Sequence, residues 1–352
     1  MKIAVAMSGG VDSSVAAALL VKEGHEVIGA TMRHFDNERY DFAENEGINQ
    51  AIVDAAKVCE KLGIEHHVLN IKDDFHNIVE QNFIDEYRNG RTPNPCTLCN
   101  PTIKWGVFHE QVLRLGAEKV ATGHYVKLVE INGHFQIHTA ADAKKDQSYY
   151  LWALNQKQLS TTLFPISYLT KPEVRKIAAE FELPVHEKTD SQEICFIKDH
   201  YKDYLQKHID FTSGNIVLSD GKIIGKHRGL PLYTIGQRKG LNTPWISPLF
   251  VVKLDVKRNE LIVTDNPDDL LVSSFNINKV NWIDIVPDEI DNISVQIRYN
   301  SHPVPVKKLV RKEDNLEIVL KNPVRAVTPG QSAVFYLEDM LLGGGVIINN
   351  KK

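Results

Sequence analysis

Four cysteines and one glycine-serine loop are the residues in this sequence best suited to chemistry. In Ser8-Gly9-Gly10-Val11-Asp12-Ser13-Ser14 the glycines let backbone N–H groups turn inward around an anion. A helix that follows adds partial positive charge. Ser8 and Ser13 can donate hydroxyl hydrogen bonds, while Asp12 can hold Mg2+ or cap the helix. The heptad lacks both the Gly-Lys-Ser/Thr of the Walker loop and the Gly-x-Gly-x-x-Gly of dinucleotide-binding folds. It reads as a phosphate loop of another kind.

Cys96 and Cys99 form a Cys-x-x-Cys inside Thr92-Pro93-Asn94-Pro95-Cys96-Thr97-Leu98-Cys99-Asn100, and Cys195 lies in Asp190-Ser191-Gln192-Glu193-Ile194-Cys195-Phe196-Ile197. Three chemistries are open to these thiols. They can be half of a zinc site, although no second Cys-x-x-Cys exists. They can be a thioredoxin-like pair, although the setting is a Pro-rich loop. They can also do nucleophilic sulfur chemistry, one thiol carrying sulfane sulfur and another resolving it. Cys59 falls on the apolar face of a helical pattern and reads as a packed small hydrophobe.

The elements that must position these groups change character along the chain. Up to about residue 195, apolar strands (3–7, 25–31, 66–70, 119–122) alternate with helical patterns (13–23, 48–62, 75–87, 103–115). That alternation predicts βαβ units and a doubly wound parallel sheet. From about residue 210 the strands are short and turn-bounded. Asp220-Gly221 marks a hairpin, and strands near 294–298, 304–310, 316–320 and 333–337 suggest a small barrel. The expected division is 1–205, 206–271 and 272–352: an α/β domain, a small central β-rich domain and a C-terminal β-barrel-like domain. At 352 residues the chain is too long for one ordinary core. With 41 Lys+Arg against 45 Asp+Glu, the whole chain is not a non-specific polyanion binder. Four cysteines in such a length favour reduced thiols and a cytoplasmic location over a disulfide framework. No apolar run approaches the roughly 20 residues of a membrane span.

The heptad resembles the pyrophosphatase loop of the ATP pyrophosphatase superfamily, whose members adenylate a carbonyl oxygen. Further motifs follow in the order found in one family of that group. They are Asn94-Pro95 with Leu98-Cys99-Asn100, Ile103-Lys104-Trp105-Gly106, Ala121-Thr122-Gly123-His124-Tyr125, Lys145-Asp146-Gln147-Ser148, Ile194-Cys195-Phe196-Ile197, Tyr233-Thr234-Ile235-Gly236-Gln237-Arg238, Ile297-Arg298-Tyr299-Asn300 and Arg325-Ala326-Val327-Thr328-Pro329-Gly330-Gln331. Together these resemble the tRNA-specific 2-thiouridylases over nearly the whole chain. Two departures stand out: Cys96 replaces a common Asp, and Asp190-Ser191-Gln192-Glu193 replaces a Ser-Thr-Gly stretch.

The resemblance implies an N-terminal domain of the ATP pyrophosphatase type and ATP-dependent 2-thiolation of the wobble uridine of tRNA. Cys99 would be the nucleophile and Cys195 the persulfide carrier. ATP, with Asp12 as the candidate ligand for Mg2+, would contact Ala6, Met7, Ser8, Gly9, Gly10, Val11, Asp12 and Ser13, together with Met32 and Gly123. Asn94, Pro95 and Cys96 would line the pocket for the target base. Lys145, Asp146, Gln147, Arg298 and Tyr299 would contact tRNA, with the Lys, Glu and Gln acceptors as the expected set. The sulfur donor would be a cysteine desulfurase or a relay protein. A local excess of eight Lys and Arg over four Asp in residues 198–240 fits an RNA footprint beside the cysteine motifs. Thiolates need nearby cations or helix ends, for which Lys104 and Lys145 are the candidates. Both cysteine motifs are expected to be loops, one of which reorders so that Cys99 and Cys195 can meet.

Overall fold

The computed structural model describes residues 1–40, 42–190, 194–287 and 292–348. Its first layer is a parallel sheet of β1 (Lys2–Ala6), β2 (Glu26–Arg33), β3 (Glu65–Asn70), β4 (Lys119–Ala121) and β7 (Thr162–Leu163), ordered β3-β2-β1-β4-β7. Alternate residues of β1 feed two cores. Ile3 and Val5 pack with the helices α1 (Val11–Lys22) and α2 (Gly47–Leu62), while Ala4 faces Ile28, Phe75 and Phe83. Burial on both faces is why residues 3–7 form one unbroken apolar run. Strand order reverses beside β1, so the carboxyl end of β1 opens the crevice where doubly wound sheets bind ligands. Cys59 lies buried on α2, as expected, and burial pushes its thiol up to about 11.

One hairpin departs from the expected alternation. β5 (Val126–Ile131) and β6 (His134–Thr139) are joined by Asn132 and Gly133, both at positive φ, the geometry of a two-residue turn. The hairpin leaves the parallel sheet and pairs through β6 with the last strand of the chain. An N-terminal element is thus built into the C-terminal sheet.

The central segment holds a sheet of β8 (Gly214–Leu218), β9 (Ile223–His227), β10 (Phe250–Asp255) and β11 (Glu260–Thr264), ordered β10-β11-β8-β9. Its first hairpin turns at Asp220-Gly221, with Gly221 at φ 94°, as its residue types predict. The C-terminal strands are β12 (Leu271–Trp282), β13 (Ile293–Gln296), β14 (Val304–Arg311), β15 (Leu316–Arg325), β16 (Ser332–Leu337) and β17 (Met340–Ile347). Because β12 pairs with both β15 and β17, these six strands close into a barrel. Phe275, Ile277, Val295, Ile318 and Phe335 fill it. No helix among the described residues is long and apolar enough to cross a membrane.

Candidate active site

The heptad joins β1 to α1 at the opening of the crevice. Gly9 takes the left-handed region at φ 67°, and a Cβ there would lie 2.5 Å from the Ala51 carbonyl oxygen. Gly10 caps α1 with its backbone alone, leaving the first N–H groups of a 12-residue helix without a side-chain acceptor. The Ser13 hydroxyl accepts from the Ser8 N–H and donates to the Gly10 carbonyl, each at 3.2 Å. Such a loop presents backbone donors, hydroxyls and a helix terminus to an anion. Gly123, just after β4, packs flat against it: a Cβ at 123 would sit 2.6 Å from the Ser13 nitrogen. Met32, in β2, shares an apolar cluster with Ala6. The expected nucleotide contacts from Ala6 to Ser13, Met32 and Gly123 therefore lie at one end of one sheet.

Asp12 neither caps α1 nor stands free. Both its oxygens accept from the Lys171 ammonium, at 2.7 and 2.9 Å, and Oδ1 also accepts from the Tyr125 hydroxyl at 2.7 Å. Lys171 in turn meets Asp190 at 2.8 Å, and Asp190 also pairs with Lys145 at 2.6 Å and Arg175 at 3.1 Å. Burial pushes the Asp190 carboxyl up, but the hydrogen bonds and charges of Lys145 and Lys171 overcome it and hold it at about 2. Lys188 adds a second tie, donating to the Gly9 carbonyl at 2.9 Å and to Asp54 at 2.6 Å. The strand of chain that leads to Cys195 is thus fastened to the phosphate loop at two points. Among the described residues, no cluster of three or more His, Cys, Asp or Glu could hold a metal. A lone carboxylate already paired with Lys171 does not make a protein-built Mg2+ site.

Lys171 and Lys188 carry no sequence motif, and only their spatial partners identify them. Replacing Lys171, 10% exposed at its side chain, with Met leaves two carboxylates short of a donor. The expected cost is about 1–3 kcal/mol, read as a lower urea midpoint, with Lys171→Arg recovering most of it.

The Cys-x-x-Cys corrects the expectation of a loop: it is the first turn of a helix, Pro95–Cys99. Asn94 caps it, its Oδ1 accepting the Cys96 N–H at 3.1 Å, and Pro95 occupies the first turn where no donor is lost. The run continues as a π-type segment, Asn100–Phe108, kinked at Gly106. Cys195 does lie in a turn, while Ser191, Gln192 and Glu193 of its motif fall outside the described residues. Next to it Phe196 is fully buried among Tyr40, Phe75, Phe83 and Tyr204. That aromatic block is tied down by Glu80, whose carboxylate accepts from the Tyr40 and Tyr204 hydroxyls at 2.5 and 2.6 Å. The thiols are all unbonded: Cys96 and Cys195 reach solvent and Cys99 is half-buried.

The helix Pro95–Cys99 and the Cys195 turn bring the three thiols into electrostatic reach of one another. Desolvation by the surrounding protein raises all three, Cys99 to about 12, with Lys104 pulling each of them down. For Cys99 and Cys195 the neighbouring thiols add a further push upward. The expected cation is present, yet desolvation outweighs it at the half-buried Cys99; Cys96 and Cys195 shift the same way, although their exposure to solvent limits the effect. Burial also holds His34 down at about 4 and His124 well below its usual value, with Lys104 adding to both. An unfolded chain takes up protons at these histidines from about pH 6.5 downward while the native state does not, so stability falls as pH drops through that window. Removing His34 by His34→Gln should flatten the decline in urea midpoint between pH 7 and pH 4.5.

The remaining expected contacts are engaged inside the protein. Lys145 pairs with Asp190, Asp146 accepts from the Ala140 N–H and the Ser148 hydroxyl, and Gln147 accepts from the Tyr125 N–H. Arg298 donates to the carbonyls of Ile235 and Ala326 and to Thr328 Oγ1, joining barrel to central sheet, while the Tyr299 ring lies 4.5 Å from that of Tyr150. Three segments meet at Thr92, just before the cysteine helix: its N–H donates to Pro329, its carbonyl accepts from Gln331, and its hydroxyl pairs with Thr234.

Three family models match this architecture. They are described as the tRNA methyl transferase HUP domain (residues 1–199), the tRNA methyl transferase PRC-barrel domain (202–265) and the aminomethyltransferase beta-barrel domain (272–347). A protein of Trichlorobacter lovleyi named tRNA-specific 2-thiouridylase MnmA is 46% identical over 98% of this chain and 97% of its own. Its namesake in Pelobacter propionicus is 43% identical over 99% and 97%. A solved complex titled as a 4-thiouridine synthetase with RNA and bound ATP aligns with 58% of this chain and 50% of that one, at 16% identity and a TM-score of 0.35, too low to carry an argument. Identity of this level along the whole length places the chain firmly: it belongs to the tRNA-specific 2-thiouridylase family.

Proposed function

We propose that the protein is an ATP-dependent tRNA sulfurtransferase that converts the wobble uridine to 2-thiouridine. The observation that carries this reading is the gathering of Cys96, Cys99 and Cys195 around Lys104, with the chain that leads to Cys195 tied to the phosphate loop by Lys188 and, through Lys171, by Asp190. The relatives' name supports the substrate. The methyl transferase wording of two family models would call for a methyl donor, whereas a phosphate loop beside three thiols fits adenylation and sulfur transfer.

ATP supplies the adenylyl group that turns uracil O2 into a leaving group and releases pyrophosphate. The heptad and Gly123 hold the phosphates. Mg2+ accompanying ATP would be held chiefly by phosphate oxygens and water, with Asp12 available only if Lys171 yields. Cys195 carries the persulfide. Either its terminal sulfur attacks C2 directly and the Cys99 thiolate then attacks Cys195 Sγ, or Cys99 attacks first and the released hydrogen sulfide adds to C2. In both routes AMP departs with O2, C2 keeps one sulfur, and a Cys99–Cys195 disulfide remains for an external reductant. Asn94, Pro95 and Cys96 line the base pocket, and Lys145, Asp146, Gln147, Arg298 and Tyr299 meet the tRNA. Since these last side chains are internally bonded, tRNA binding exchanges some of those contacts for RNA ones. The acceptors are the Lys, Glu and Gln tRNAs, and the sulfur donor is a cysteine desulfurase or a relay protein. Nucleoside mass analysis of tRNA from a deletion strain tests this: 2-thiouridine derivatives disappear and return with the intact gene. Their persistence in the deletion strain would refute it.

A further inference from the structure

Lys104 is a half-buried cation with no counter-ion among the described residues. Among the described residues its ammonium makes no hydrogen bond or ion pair. The other lysines of this region are all committed: Lys145 to Asp190, Lys171 to Asp12, Lys188 to Asp54. Taking an ammonium partly out of water without pairing it costs free energy, so an unpaired one marks a place where negative charge arrives later.

The backbone explains where the cation points. From Asn100 the helix is wound with π-type hydrogen bonds, each N–H reaching back five residues instead of four. Residues five apart therefore come nearer to one face than ordinary α-helical winding would bring them, and Lys104 follows Cys99 by five positions. Within this segment the run is kinked at Gly106, where a Cβ would lie 3.3 Å from the Pro101 carbonyl oxygen. The groups facing Lys104 come from four places: Cys96 and Cys99 on its own helical run, His34 after β2, His124 after β4, and the Cys195 turn. Tyr40 and Tyr150 flank the thiols. Both imidazoles stay neutral, and none of the forces on His34, Cys96, Cys99 or His124 comes from a carboxylate. Among the described residues, the groups here that can ionise to balance Lys104 are the thiols.

We propose that Lys104 is a positioning residue for sulfur transfer: the π-wound helix aims its ammonium at Cys99 and Cys195, where it balances the charge when either thiol ionises. The inference rests on the sulfurtransferase reading for its purpose, but the electrostatic influence of Lys104 on the thiols is independent of that reading. Without the cation, burial alone governs Cys99 and the thiolate is scarcer at any pH. Burial and the cation thus act in opposition, so that the thiols stay protonated until substrate closes the pocket.

The test is alkylation of Cys99 in the reduced full-length protein, without ATP or tRNA, followed by peptide mass spectrometry from pH 7 to pH 10. Neutral iodoacetamide and anionic iodoacetate are compared. In Lys104→Met the iodoacetamide rate falls about threefold, because a thiol harder to ionise by about a factor of ten supplies roughly tenfold less thiolate at each pH, partly offset by its greater intrinsic nucleophilicity. The iodoacetate rate falls further, since the anionic reagent also loses the attraction of the cation. Lys104→Arg restores both rates, and Lys104→Gln repeats the loss with a polar side chain should the Met variant fold poorly. Unchanged rates and an unchanged iodoacetate-to-iodoacetamide ratio in Met and Gln variants would overturn the proposal. So would normal labelling with weakened tRNA affinity, which would assign Lys104 to the RNA backbone. Failure of the sulfurtransferase reading shows elsewhere, as full thiolation by Cys99→Ser, and leaves the labelling result intact.

Discussion

Cys99→Ser and Cys195→Ser should each lower 2-thiouridine formation by roughly 10⁴-fold or more, the scale seen when a covalent nucleophile is removed. A serine hydroxyl can neither carry sulfane sulfur nor attack a persulfide at neutral pH. The folds should survive, because Cys195 is exposed and Cys99 only half-buried. Neither side chain touches the phosphate loop, so ATP affinity should stay within about threefold of wild type. The discriminating assay is paired: nucleoside analysis for sulfur transfer, and tRNA-dependent pyrophosphate release for adenylation. Loss of both signals in either variant would mean that the cysteine had been holding the site together. Full activity in both variants would remove the persulfide relay.

Gly123→Ala should cripple the nucleotide end with a single methyl group. Its Cβ would lie 2.6 Å from the Ser13 nitrogen and 2.7 Å from the Asp12 carbonyl carbon, so the loop backbone itself must move. Misplacing a catalytic loop by about an ångström is enough for a 10²-fold loss, and that is the expected fall in pyrophosphate release. Gly10 provides the contrast. A Cβ there meets only Ser8 Oγ, at 3.4 Å, so Gly10→Ala should fold with a normal urea midpoint. Any loss of ATP affinity at Gly10 would therefore report the space that phosphate itself needs. Gly9 is constrained on both counts, by its φ and by Ala51, and its substitution should cost stability as well as activity.

How much of this was readable in advance follows from how local each signal is. The heptad, the apolar run of β1 and the turn at Asp220-Gly221 are specified by adjacent residues, and they fold where their composition says. The helix at Pro95 was hidden by its two prolines, which punctuate loops more often than they start helices; Asn94 as cap and Pro95 in the first turn were the available clues. Asn132-Gly133 was likewise a legible turn, but nothing local says that β6 would pair with β17, some two hundred residues on. β17 itself carries Gly343, Gly344 and Gly345, and glycine is a poor strand former. There the missing side chains admit β12, since a Cβ on Gly343 would collide with Asn281. The charge network was least visible. Lys171 and Lys188 are ordinary surface residues by sequence, and only the fold brings them to Asp12, Asp190 and Gly9. The unfavourable setting of the thiols was also unreadable, because it depends on burial set by distant aromatic residues.

The central claim is that Cys195 carries the transferred sulfur and Cys99 releases it by forming a disulfide with Cys195. Its most direct test is a single turnover with persulfide-loaded protein, ATP and unmodified tRNA, without reductant, followed by non-reducing peptide mass spectrometry. The account predicts one new disulfide, Cys99–Cys195, formed in proportion to the 2-thiouridine made and absent when ATP is omitted. A Cys96–Cys99 disulfide in its place, or full thiolation with all three thiols still free, would contradict it.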